Sequence, residues 1–218
     1  MAKKFDLLVF DWDGTLLDST GAIVAAVQFA CRDLGIPEPT HAHASHVIGL
    51  GLADALRHSA PDLPDDQFQQ MLERYRYHYL SRDKELKLFD GAFELIEELH
   101  SAGYMLAVAT GKSRLGLNRA LTSSGLGRFF PASRCADECF SKPHPQMLHE
   151  LMEEFAVPPE RMLMIGDTTH DLQMAINAGV PGVAVSYGAH SAEKLDAFQP
   201  LARVNSVDEL ALWLRNSA

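Results

Sequence analysis

Asp11 and Asp13 stand one residue apart at the end of a short apolar run, Phe5-Asp6-Leu7-Leu8-Val9-Phe10, and are followed by Gly14 and Thr15. In extended chain, side chains two positions apart share a face, so both carboxylates point the same way, and Gly14 permits the turn that brings them to the surface of a buried strand. Such a pair can divide a hydrolysis: one carboxylate attacks an electrophilic phosphorus, and the other gives a proton to the leaving group and takes one from the attacking water. Turns favour Asp and Gly for purely local reasons as well, so the pair gains meaning only from the rest of the chain. The apolar run 105–109 leads into Thr110, the run 162–165 leads into Gly166-Asp167 with Asp171 four residues on, and Lys142 opens Lys142-Pro143-His144-Pro145 between them. Polar groups at the carboxyl ends of parallel strands are where open α/β sheets place their ligand sites.

Taken in order, Asp-x-Asp-Gly-Thr at 11–15, Thr110, Lys142 ahead of a Pro-x-Pro, and Gly166-Asp167 followed by Asp171 resemble the four motifs of the haloacid dehalogenase superfamily of aspartate-nucleophile phosphohydrolases. The overall pattern is most similar to the phosphoglycolate phosphatase-like branch with a helical cap, and the resemblance spans nearly the whole chain. It implies a Rossmann-like α/β core with a parallel sheet and an inserted all-helical cap. The implied activity is a Mg²⁺-dependent phosphatase that hydrolyses a small-molecule phosphate monoester, phosphoglycolate-like or a sugar phosphate, through an aspartyl-phosphate.

Within that scheme Asp11 is the nucleophile and Asp13 the general acid/base. Lys142 supplies a fixed positive charge to the nucleophile and the phosphoryl oxygens, and Thr110 donates its hydroxyl to the same phosphate. Clustered carboxylates cannot bind a phosphate dianion unaided, and Mg²⁺ suits octahedral coordination by one or two carboxylates, waters and the phosphate. The ligands that the resemblance implies are Asp11, Asp167 and the backbone carbonyl of Asp13. Asp171, one helical turn past Asp167, faces the same way and is expected to hold metal waters or Lys142. Expected substrate contacts are Thr110, Gly111 and Lys142 at the phosphate and Gly49, Arg57 and Arg114 beyond it, with His58 and His144 as further candidates. Gly111 departs from the family pattern, which often has Asn after the motif Thr; backbone approach to phosphate stays possible and a side-chain contact is lost.

Two phosphate-binding look-alikes fail on geometry. Thr110-Gly111-Lys112-Ser113 imitates the end of a P-loop, but the glycine required five residues before Gly111 is Leu106, inside the strand. Gly49-Leu50-Gly51 lacks the third glycine and the preceding strand of a dinucleotide fingerprint, and reads as a substrate-specificity loop of the cap. Asp13 disfavours a dehalogenase, because a halide leaving group needs no proton. A phosphosugar mutase of the β-phosphoglucomutase kind uses the same groups and differs in how its cap excludes water. A non-catalytic binding module on the same fold is the remaining alternative.

The chain has 218 residues, 47% hydrophobic and 22% charged, enough for a sizeable core in one domain or one domain with an insertion. A net charge of -10 disfavours a nucleic-acid or anionic-membrane partner, so a phosphate substrate must be held by local charges and a metal. Lys3 and Lys4 precede an apolar run too short for a secretory signal, and no stretch approaches a membrane span, so a cytoplasmic protein, monomeric or weakly dimeric, is expected. Cys31, Cys135 and Cys139 are too few, at unrelated spacings, for a zinc site and are expected as reduced thiols. The alternating imidazoles of His41, His43 and His46 lack a carboxylate or Cys at a defined spacing and read as a solvated loop or helix start.

These groups need elements to hold them. Ile23, Val24, Val27 and Leu34 mark one face of a helix that stops at Gly35, and further amphipathic stretches follow over 53–58 and over 68–80, where Phe68, Leu72, Tyr75 and Tyr79 recur at helical spacing. The cap is therefore expected over 17–86 and the core over 1–16 and 87–218. In the core the pattern predicts helices over 92–102, 113–124 and 145–155, one capped by Thr168 or Thr169 and ending at Gly179, and a closing helix over 207–214. Strands are predicted over 105–109, 132–136, 162–165 and 182–186 beside the first. This alternation implies a parallel sheet with right-handed crossovers.

Overall fold

A computed structural model describes residues 3–217; Met1, Ala2 and Ala218, at the outer ends of the expected core segments, lie outside the described residues. The first strand, β1 (Leu7–Phe10), is buried along its whole length and reads Leu-Leu-Val-Phe without alternation, as a strand covered on both faces should. Four helices follow: α1 (Thr20–Asp33), α2 (His41–His46), α3 (Leu52–Ser59) and α4 (Phe68–Arg82). The chain then alternates: α5 (Ala92–Ser101), β2 (Met105–Thr110), α6 (Arg114–Ser124), β3 (Ala132–Cys135), α7 (Gln146–Phe155), β4 (Met162–Gly166), α8 (Thr169–Ala178), β5 (Gly182–Val185), α9 (Ala192–Asp196), β6 (Ala202–Val204) and α10 (Val207–Ser217).

The six strands form one parallel sheet in the order β3-β2-β1-β4-β5-β6. Phe10 pairs with Val108 on one side and Ile165 on the other, so Asp11, Thr110 and Asp167 leave the sheet at its carboxyl edge within about one residue of each other in register. The direction of winding reverses at β1, which opens the crevice that such sheets use for ligands.

Alternate residues of β1 serve opposite layers. Leu8 and Phe10 pack with Ile96, Leu117 and Leu210 on one side, and Leu7 and Val9 pack with Met147, Leu151 and Met174 on the other. A third cluster, with Val24, Val27, Leu56 and Met71, lies among α1 to α4, and residues 17–86 contribute no strand to the sheet. Leu16 and Leu17 pack with the sheet layer, and Leu17 bridges Leu88, so the helical segment proper starts at Thr20. Ser113 caps α6 by accepting from the Gly116 N–H, and Thr168 caps α8 by accepting from the Asp171 N–H.

The three-residue edge strand β6 was not expected from the sequence: Ala-Arg-Val carries no periodicity, and Arg203 turns outward to Asp196 at 2.8 Å. His41, His43 and His46 lie on the short helix α2, capped by Thr40. The three cysteines are free, with Cys31 and Cys135 buried.

Candidate active site

Lys142 sits at the centre of the carboxyl edge with its side chain fully buried, and its Nζ donates to Asp11 Oδ1 at 2.8 Å and to Asp171 Oδ1 at 2.6 Å. The other oxygen of Asp171 accepts from the N–H (3.0 Å) and hydroxyl (2.7 Å) of Thr168, closing a capping box. One carboxylate thus starts α8 and orients the lysine. Asp167 accepts from the Thr15 hydroxyl at 2.9 Å and from the Ala189 N–H at 2.7 Å. Gly14, at φ 84°, passes so close to Asp167 that a Cβ there would collide with its carboxylate, which explains the glycine after the acidic pair.

Three buried carboxylates, Asp11, Asp167 and Asp171, present ligand atoms within 4.8 Å of one another, with one lysine to balance them. Burial pushes the Asp11 carboxyl up to about 7, with Asp171 and Asp13 adding to the rise against the opposing pull of Lys142. Burial likewise raises Asp167 well above the usual carboxylate range, reinforced by the charges of Asp11 and Asp171. Burial opposes the charge on Lys142, yet Asp11 and Asp171 hold its pKa above the ordinary lysine value. Asp11 Oδ2 is buried without a hydrogen-bond partner, which is costly unless another group meets it. Three carboxylates gathered round one lysine, an oxygen-rich and cation-poor cluster, fit a hard divalent cation such as Mg²⁺.

Asp13 faces the other way. Its Oδ1 accepts from the Ser19 hydroxyl at 2.5 Å and lies 2.9 Å from Lys112 Nζ, and Lys112 donates in turn to the Tyr79 hydroxyl of α4 at 2.9 Å. Asp11, Asp13, Thr110, Gly111 and Lys112 line one wall of a cavity of about 500 Å³, and the opposite wall comes from α3, α4 and the loop 47–51. That loop rests directly on the core. The Gly51 N–H donates to Ser141 Oγ at 2.8 Å, Gly49 abuts Thr168, and a Cβ on Gly111 would collide with the carbonyl oxygens of Gly49 and Leu50. Beside it, His170 Nε2 and His190 Nε2 approach the carbonyl of His46 at 2.8 and 3.1 Å. Burial pushes His190 down to about 4, keeping it neutral. Since its Nδ1 accepts from the Thr169 N–H at 2.9 Å, Nε2 carries the proton and donates.

The structure therefore brings together Asp11, Asp13, Thr110, Gly111, Lys142, Asp167, Asp171 and, from the loop 47–51, Gly49. It does not bring Arg57 or Arg114 to the cavity, and the expectation for both is corrected. Arg57 pairs with Asp65 at 3.0 Å and lies over the Phe68 ring; Arg114 is bidentate to Glu138 and also donates to Ser133. His58 is turned to the Asp54 carbonyl and His144 is exposed outside the cavity. Lys112, Tyr79 and Ser19 were missed. Lys112 had a signal in the sequence, two residues past the strand-end Thr110, but was weighed there only as part of a failed P-loop.

The model of the haloacid dehalogenase-like hydrolases matches residues 8–185, which runs from the second residue of β1 to the end of β5 and takes in Asp11, Asp13, Thr110, Lys142, Asp167 and Asp171. The chain is 33% identical over 210 residues to a probable phosphatase, IndB, of Dickeya dadantii, covering 94% of this chain and 91% of that protein. It is also 33% identical over 210 residues to a phosphoglycolate phosphatase of Aliivibrio fischeri, with 92% of each covered. Among solved structures, a predicted phosphoglycolate phosphatase from Haemophilus somnus superposes with a TM-score of 0.86 at 26% identity, over 97% of this chain and 99% of that one.

Proposed function

The chain belongs to the haloacid dehalogenase-like hydrolase family, and from that premise we propose that it is a phosphatase that hydrolyses a small-molecule phosphate monoester, a phosphoglycolate-like acid or a sugar phosphate, through an aspartyl-phosphate on Asp11. The observation that carries this reading is the orphaned, buried Asp11 Oδ2 at the meeting point of three strand ends. The unbonded oxygen attacks phosphorus as the ester P–O bond breaks, while Lys142 holds Oδ1 and fixes the carboxylate plane. Asp13 gives its proton to the departing alkoxide. It then takes a proton from a water that attacks the aspartyl-phosphate, which releases inorganic phosphate and restores Asp11. The Thr110 hydroxyl and the Lys142 ammonium hydrogen-bond the transferring phosphoryl oxygens. Asp11, Asp167 and the Asp13 carbonyl would hold Mg²⁺, with Asp171 behind them, and the cation would supply the positive charge that lets a phosphate dianion approach these carboxylates. Residues 1–16 and 87–218 would act as the catalytic core and 17–86 as a cap that shields the site from water.

The test is release of inorganic phosphate from a panel of monoesters, with Mg²⁺ and with EDTA, for the parent protein and Asp11→Asn. Mg²⁺-dependent release that the substitution abolishes supports the reading. Release that survives in Asp11→Asn, or no release from any monoester with Mg²⁺, overturns it.

A further inference from the structure

Beyond Asp13, on the same wall of the cavity, stands a second, largely buried cation. The Lys112 side chain is 10% exposed, and its ammonium has two oxygen partners among the described residues, Asp13 Oδ1 and the Tyr79 hydroxyl, each at 2.9 Å. An ammonium carries three N–H groups, so one is left for a ligand. Its position relative to the reaction follows from Asp13. If Asp13 protonates the leaving oxygen, that oxygen lies against the Asp13 carboxyl, and whatever is bonded to it extends into the cavity beside Lys112.

Arg119, at the rim, is held by Asp83, Arg57 and Arg114 are turned away to Asp65 and Glu138, and Arg76 lines the cavity from α4 with its side chain exposed to solvent, which leaves Lys112 as the largely buried cation of this wall. The ammonium also lies 4.9 Å from the Tyr79 ring, on which Tyr75 stacks. On the third N–H a neutral hydroxyl makes an ordinary hydrogen bond, whereas a carboxylate makes a charge-assisted one of roughly twice the strength and leaves Asp13 facing the leaving oxygen.

Resting on the phosphatase reading above, we propose that Lys112 determines specificity: its ammonium binds a carboxylate on the leaving group, so the preferred substrates are phosphate esters of short hydroxy acids and not of neutral sugars. Tyr79 belongs to α4 and Lys112 to the loop after β2, so this anion subsite is complete only when the cap segment rests on the core.

The test compares kcat/KM for 2-phosphoglycolate and for its neutral near-isostere, 2-phosphoglycolamide, with p-nitrophenyl phosphate as a generic control. The parent protein is expected to favour the acid by roughly thirty-fold, the scale of a lost charge-assisted hydrogen bond in a buried site. In Lys112→Gln the ratio should fall to within about threefold of unity, and in Tyr79→Phe it should lie between the two. The ratio within each variant is the readout, because a purely structural defect slows acid and amide alike. A parent ratio near one, or a parent ratio kept in Lys112→Gln, overturns the assignment. If Lys112→Gln does not fold, an unchanged ratio in Tyr79→Phe overturns it instead. Hydrolysis of p-nitrophenyl phosphate without preference for the acid leaves the phosphatase reading standing and removes this one; no hydrolysis of any ester with Mg²⁺ removes both.

Discussion

At the scale of single residues, Asp11 and Lys142 occupy the same ion cluster and should respond in opposite ways to removal. Asp11→Asn deletes one of three crowded carboxylate charges and keeps the shape, so thermal unfolding should shift little or upward, while turnover falls by at least a hundredfold, about 2.7 kcal/mol of transition-state stabilisation. Lys142→Met leaves Asp11 and Asp171 buried without a cation and should cost about 3–5 kcal/mol of stability, measured by denaturant unfolding. A Lys142→Met protein as stable as its parent would mean that the carboxylates are not held charged by this lysine. The strand-end residues were legible in the sequence because a strand fixes where its last side chains go. Arg57 and Arg114 were not, because a long basic side chain on a helix goes to whichever acid the tertiary fold presents, and Glu138 lies 24 positions from its partner.

At the scale of elements, the five longer strands and the helices around them were readable from apolar runs, glycine stops and capping residues. The edge strand β6 was not, because three residues give no period. The contact between the loop 47–51 and the core was also invisible, since on the loop side it is made by backbone, the Gly51 N–H and the Gly49 and Leu50 carbonyls. Gly111 is the clearest case: the position where the resembled family often has Asn lies against the Gly49 and Leu50 carbonyls. Gly111→Asn should therefore hold the loop off the core. An overpacking cost of about 1–3 kcal/mol paid only in the closed arrangement would lower kcat/KM about ten- to a hundredfold. The melting temperature of the sheet layers should change little. Steady-state kinetics beside a thermal melt checks both parts, and unchanged kinetics would show that closure tolerates a side chain there.

At the scale of the whole molecule, the acidic cluster should make stability answer to divalent cations. With Mg²⁺ at about a hundred times its dissociation constant, binding to the folded state alone adds about 2.7 kcal/mol, a rise of roughly 5–10 °C for a chain of this size. A thermal melt in Mg²⁺ against one in EDTA reads this without any substrate, and Asp167→Asn should abolish the difference. Among the described residues, no helix is long and apolar enough to cross a membrane. Lastly, the imidazoles of His170 and His190 meet the His46 carbonyl with their Nε2 atoms and also lie against its ring, at centroid distances of 5.5 and 5.1 Å. Every amino acid brings that carbonyl, so His46→Ala should keep the two hydrogen bonds and lose only the ring contacts. The hydrogen bonds that seat residues 46–51 on the core thus draw on main chain from that side, while the lining of the chamber is written in side chains. Selection can then rewrite much of what the chamber accepts without disturbing these bonds.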